Sequence, residues 1–296
     1  MTRSLCLAVL FLEACAGTPA ALRAADATSI SDGDADRIAA AFRRRAAPDP
    51  ARAPRSLDDV VATLRRDRLD DFAAAFEFAA AHRAEPGALA LAAQLQLTWG
   101  EDQLIVAEIL GHEARGSSDR ARAELAGVGD ALAQEGSAHV AEGMLLAREL
   151  ITAAPNDYHG WRAAADYYRL TGDWPRFDQA IARLDTLDPR SNGYSFLRGM
   201  EQLARYHHRA RAQHFFREAL ARDPKLARAE VQLMLGRASI GTEYADYLRL
   251  KAISPEHQVV LWLGPLIERQ HAEQVAEESR HESSQEDRAL DLVRAP

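Results

Sequence analysis

Arg162 and Arg169 are seven residues apart, so a helix carrying both sets them two turns apart on one face. Guanidinium forks held rigidly on such a face are suited to gripping carboxylates. Asp166 lies between them and offers another outcome, an intrahelical pair with Arg162 on a solvated face. His207, His208 and His214 are the nearest approach to a metal site. His207 and His214 would share a face of an unbroken helix, but they straddle an expected turn. A transition metal also wants more ligands at close spacing. His112-Glu113 is an isolated pair at a helix end. The chain has no paired-histidine zinc helix, no glycine-rich phosphate loop and no nucleophile elbow. No pair of carboxylates invites acid–base work. These residues point to binding rather than catalysis, with no metal and no cofactor.

The elements that must position them are helical hairpins. Pro54, Pro86, Pro155, Pro189, Pro224 and Pro255 are separated by 32, 69, 34, 35 and 31 residues. The gap of 69 is two periods with one mark missing, and Gly116-Ser117-Ser118-Asp119 stands near the missing mark. A period near 34 with two helices per unit is the signature of a stacked helical array. The clearest unit runs from Asn156 to Pro189. Trp161, Ala164, Ala165 and Tyr168 recur at helical spacing, as do Phe177, Ala180, Ile181 and Leu184. Between them, Asp173 is placed to cap the second helix and Pro175 to sit in its first turn. Asp188-Pro189 ends it, because the residue before proline is pushed out of the α region.

This unit resembles the tetratricopeptide repeat. Trp161 and Pro189 are 28 residues apart, as that family places its opening Trp and closing Pro, and Ala165 and Tyr168 fall on its small and aromatic positions. Phe177 departs, standing where the family has alanine. The next unit keeps the frame from Phe196 to Pro224, with Ala212, Phe216 and Ala219 in place, Gly199 and Met200 departing, and His207 replacing the turn glycine. The weaker units are residues 56–86, 87–118, 119–155 and 225–255. The resemblance implies an all-α, right-handed α-solenoid of about six helix-turn-helix repeats. It also implies that the first helix of each hairpin lines a concave, partner-binding groove. Carried over, that stripe is His159, Arg162, Asp166 and Arg169 in one unit and Tyr194, Leu197, Glu201 and Arg205 in the next.

Composition narrows the partners. With 36 basic against 44 acidic residues the net charge is −8, and nucleic-acid binding needs the opposite surplus. Arg43-Arg44-Arg45 is a compact basic cluster before the array, read as a solvated linker or a touch on an anionic lipid surface. Hydrophobic residues make up 47% and aromatics only 7%, an alanine-rich balance that suits close helix-on-helix packing. No alternating β-branched run suggests a sheet.

The chain starts with Arg3 and a short apolar run, Leu5 to Leu12, which reads as a signal-peptide core. Leu12-Glu13-Ala14-Cys15 resembles the bacterial lipobox, with Glu13 departing from the small residue preferred there. The resemblance implies lipidation at Cys15 and, with no aspartate following it, an outer-membrane lipoprotein facing the periplasm. Cleavage near Ala20 or Ala25 would instead give a soluble periplasmic protein, and a cytosolic protein with a chance apolar start is a third possibility. Cys6 is the only other cysteine and lies in the segment to be removed, so no disulfide is expected. The expected organisation is a signal segment (1–15), a tether (16–54) in which residues 36–45 form a short helix, the array (55–255), a capping helix (256–268) and a charged tail (269–296).

The reading is an exported, lipid-anchored adaptor or scaffold that binds other proteins or peptides through its groove and is not an enzyme. In plan it resembles lipid-anchored tetratricopeptide adaptors of pilus assembly, outer-membrane protein insertion or cell-wall hydrolase docking. The rival is an envelope-acting enzyme or enzyme accessory with a superhelical body. A cleft with two convergent carboxylates of raised pKa favours the rival; a groove lined by Arg162, Arg169 and Arg205 favours the adaptor.

Overall fold

The computed structural model describes residues 32–43, 50–85, 87–113, 117–235, 240–257, 259–265, 267–269, 271–277 and 279–280. The apolar start, Cys15, Arg44-Arg45 and residues 281–296 lie outside the described residues. Among the described residues there is no strand, and all long elements are α-helices. In chain order they are α1 (Asp32–Arg43), α2 (Leu57–Arg66), α3 (Leu69–Ala81), α4 (Ala88–Glu113), α5 (Asp119–Ala153), α6 (Tyr158–Leu170), α7 (Trp174–Leu187), α8 (Asn192–Ala204), α9 (Arg209–Arg222), α10 (Ala227–Leu235) and α11 (Ile240–Ile253). A 3-10 turn (Pro50–Arg52) precedes α2, and a π-helical turn (Val259–Leu263) follows α11.

Short polar residues start five of these helices. Ser56, Ser118, Asp157, Asp173 and Ser191 each accept a backbone N–H three residues on, the Asp157 bond to Gly160 being 2.9 Å. Pro175 falls in the first turn of α7, and α7 and α9 stop just before Asp188-Pro189 and Asp223-Pro224. Gly172 breaks the α6–α7 hairpin at φ +70°. His207 takes the matching place in α8–α9 at φ +55°, a left-handed turn made without glycine.

From α2 onward each helix packs on the next, α1 packs on α5, and α4 with α6 and α6 with α8 also touch, so neighbouring hairpins meet. Between hairpins, Arg205 donates to Asp178 (2.6 Å) and the Tyr158 and Ser191 hydroxyls bond each other; within the α8–α9 hairpin, Asn192 Nδ2 donates to Asp223 Oδ2 (3.2 Å). Phe177, Ala180, Leu184, Ala165 and Leu197 form one core where α7 meets α6 and α8.

Two of the expected hairpins are absent. Residues 88–113 and 119–153 are single helices, so α4 and α5 make one long hairpin where two short ones were expected. Gly100 and Gly136 lie mid-helix at the crossing of α4 and α5. A Cβ on Gly100 would sit 2.5 Å from the Gly136 carbonyl oxygen, so both glycines allow the backbones to touch. Part of the expected tether is also packed. Ala35, Ile38 and Ala39 of α1 are buried against Val106, Leu110, Leu125 and Leu132.

Candidate functional site

The densest group of functional side chains lies inside the body, where α2, α4, α6, α10 and the segment after α11 converge. α4 supplies Thr98, Glu101 and Asp102 from the middle of a mostly apolar helix. Glu101 is 1% exposed, and its Oε2 accepts from Arg169 of α6 (2.7 Å) and from Arg228 of α10. Arg169 also holds Asp166 Oδ1 (3.1 Å), and Arg228 donates to Thr98 Oγ1 (3.0 Å) beneath the Phe196 ring. Burial pushes the Glu101 carboxyl up, but Arg169 and Arg228 more than reverse this and hold it below the ordinary glutamate value. Both guanidiniums, lowered by burial and raised more by these acids, stay charged.

Beside this ion cluster sits a pair of acids. Asp67 caps the C-terminal end of α2 in a left-handed conformation (φ +54°), with its N–H donating to the Thr63 carbonyl (3.0 Å). Its carboxyl hydrogen-bonds that of Asp102, and both are almost wholly buried. Two carboxylates in such contact need a bridging proton. Burial, then the charge of Asp67, drives Asp102 well above its ordinary value, while burial pushes Asp67 up to about 6. Asp102 therefore keeps the proton and donates it to Asp67. His257 completes the group at 1% exposure. Its Nδ1 accepts the Val259 N–H (3.1 Å), so its proton is on Nε2, which faces Asp67 Oδ2 at 3.4 Å. Burial lowers His257 to about 4, which leaves the ring neutral.

The residues expected to line the groove are distributed as follows. Arg162 and Arg169 do share one face of α6, and that face lies on α4. With the Gln94 amide oxygen turned towards it, Arg162 donates to Gln94 (2.7 Å). Gln94 and Glu101 are also seven apart, so the two stripes run in step. Asp166 and Arg169 are buried in the ion cluster. Leu197 is in the α6–α8 core at 0% exposure. Glu201 is 2% exposed and accepts from Arg198 (2.6 Å) and Arg205 (3.5 Å). Arg205 also pairs with Asp178 and lies over the Trp174 and Tyr206 rings. Tyr194 is half-buried and His159 is exposed, meeting the Tyr158 ring edge-on. Arg162, Arg169 and Arg205 thus each hold an acceptor of this chain. Asp67, Glu101, Asp102, Arg228 and His257 were not anticipated; adjacent acids within the apolar run of α4 were the available signal. Among the described residues, His207, His208 and His214 form no metal-holding group, and His214 pairs with Glu218 at 3.6 Å.

Outside this buried group, an open recess of about 440 Å³ lies between α8 and α9, lined by Arg198, Gln202, Ala210, Arg211, His214 and Phe215. Among the described residues no helix is long and apolar enough to cross a membrane. Compared with protein-family models, with curated proteins and with solved structures, the chain matches none.

Proposed function

We propose that the protein is a non-enzymatic scaffold of tetratricopeptide-like hairpins stacked as a right-handed solenoid, exported, lipidated at Cys15 and held at the outer membrane, which binds other proteins on its exposed hairpin surface. The observation that carries this reading is the burial of the chemistry-bearing groups. The acid pair that an enzyme would need, Asp67 and Asp102, is 1% and 6% exposed. Its partners are structural ones, Arg228 and His257. A substrate cannot reach a proton sealed in this way, whereas a bridging proton there stabilises the meeting of distant helices. The contacts between neighbouring hairpins support the stacked reading, and Leu12-Glu13-Ala14-Cys15 motivates the anchor.

The test is chemical crosslinking in native envelopes with the full chain and with Cys15→Ala. The wild type should give one or a few discrete adducts in the membrane fraction. Cys15→Ala should give the same adducts, released from that fraction. An absence of adducts in both would contradict the scaffold; unchanged membrane retention of Cys15→Ala would contradict the anchor.

A further inference from the structure

We propose that the recess between α8 and α9 binds an acidic peptide segment of a partner, seating a carboxylate between Arg198 and Arg211. This deepens the scaffold reading and rests on it.

The local charge is the first ground. From Gln202 to Arg217 the chain carries Arg205, Arg209, Arg211 and Arg217 with His207, His208 and His214, and no acidic residue. That stretch stands out in a chain of net charge −8. The second ground is the state of the lining groups. Arg211 is exposed and makes no hydrogen bond or ion pair among the described residues, although Arg198, Arg205, Arg217 and Arg222 around it all do. Gln202 is only 6% exposed, yet its Oε1 has no hydrogen-bond partner. That oxygen is closed off from solvent, so Gln202 shapes the recess wall and a ligand's polar group is met by Arg211 and Arg198. The third ground is shape. Phe215 and Ala210 give one apolar wall, with Arg198 lying 5.9 Å from the Phe215 ring centroid. A side-chain-sized recess with a cationic mouth, an amide and an aromatic wall suits a carboxylate borne on a peptide. A polyphosphate backbone wants cations spaced along a groove, whereas one recess seats a single carboxylate.

The probe is a fluorescein-labelled peptide of alternating Glu and Ala, with its Gln counterpart, titrated by anisotropy against the full chain at low and physiological salt. The wild type should bind the Glu peptide and not the Gln peptide. Arg211→Glu should weaken binding about tenfold or more, the scale of one reversed charge at a contact. It should leave the melting temperature unchanged, because Arg211 holds nothing in the fold. Arg190→Glu, an exposed arginine in the turn after α7, controls for bulk charge and should leave binding unchanged. The proposal is overturned if the Glu peptide does not bind, if Arg190→Glu weakens it as much as Arg211→Glu, or if oligo-dT or anionic lipid vesicles displace it at lower concentration than unlabelled peptide. Discrete envelope adducts together with a failed peptide titration would overturn the recess and leave the scaffold reading standing.

Discussion

Asp102 and its neighbours make an unusual demand on pH. Asp67 has a raised pKa in the fold, about 6 against an ordinary 3.8, so its contribution to stability is full below about 4 and is lost as pH rises towards 6. His257 has a depressed pKa, about 4 against 6.5, so its contribution is lost as pH falls through about 4 and is full above 6.5. The two trends oppose each other over nearly the same window and largely offset. Asp102, well above its ordinary value, loses its contribution over the same rise in pH and onward towards its own raised pKa, while Arg228 pulls against it and Glu101 and Arg169 stay ionised beside it. Two acids against one histidine leave a net loss, so stability should fall as pH rises from about 4 until Asp102 ionises. Asp102→Asn keeps the hydrogen bond without the titration, so thermal melts of that variant should decline less with rising pH than those of wild type. Equal decline in both would show that the acid pair does not govern it. This cluster was half legible in the sequence. Arg162 and Arg169 can be placed on one face by spacing alone, but that α4 covers the face is a long-range fact that spacing does not carry.

Helix starts and stops follow from local chemistry, which is why Asp173, Pro175 and Asp188-Pro189 mark α7 from sequence alone. Glycines are different. Mid-helix at a crossing and at a turn they look alike, and only the partner helix tells them apart. Gly100 illustrates the crossing case, with a Cβ there 2.5 Å from the Gly136 oxygen and 2.8 Å from Val140 Cγ2. Gly127 of α5 is exposed and open, with nothing within 4 Å. Alanine favours a helix interior over glycine by about 0.8–1 kcal/mol. Gly127→Ala should accordingly stabilise by roughly 0.5–1 kcal/mol. Gly100→Ala should destabilise by about 1–3 kcal/mol, because the crossing must open against backbone. Urea unfolding of the two variants checks this, and a stabilised Gly100→Ala would mean that α4 and α5 do not cross as closely as described.

Over the whole molecule, distant parts of the chain meet. Arg65 of α2 pairs with Asp223 after α9 (2.9 Å), and Ser254 Oγ donates to the Arg66 carbonyl (2.7 Å). Glu256 accepts from Arg52 and Arg68, and α10 packs on α2. Repeat periodicity speaks only of neighbours, so these contacts are invisible to it. Together with the Arg228–Glu101 pair they close the interior in which Asp166 and Arg169 of α6 are buried. Charge is thereby divided in two: an inner set that joins the ends and an outer basic edge on α8 and α9 that remains open. The most direct measurement sets one variant of each kind side by side, reading thermal melting and crosslinked-partner recovery from envelopes. Glu101→Gln removes the shared acceptor of two buried guanidiniums and should cost about 3–5 kcal/mol, lowering the melting temperature while whatever remains folded still recovers partner. Arg211→Glu should melt like wild type and recover little partner. If Arg211→Glu recovers partner undiminished, or Glu101→Gln melts like wild type, the division between a structural interior and a binding edge is contradicted.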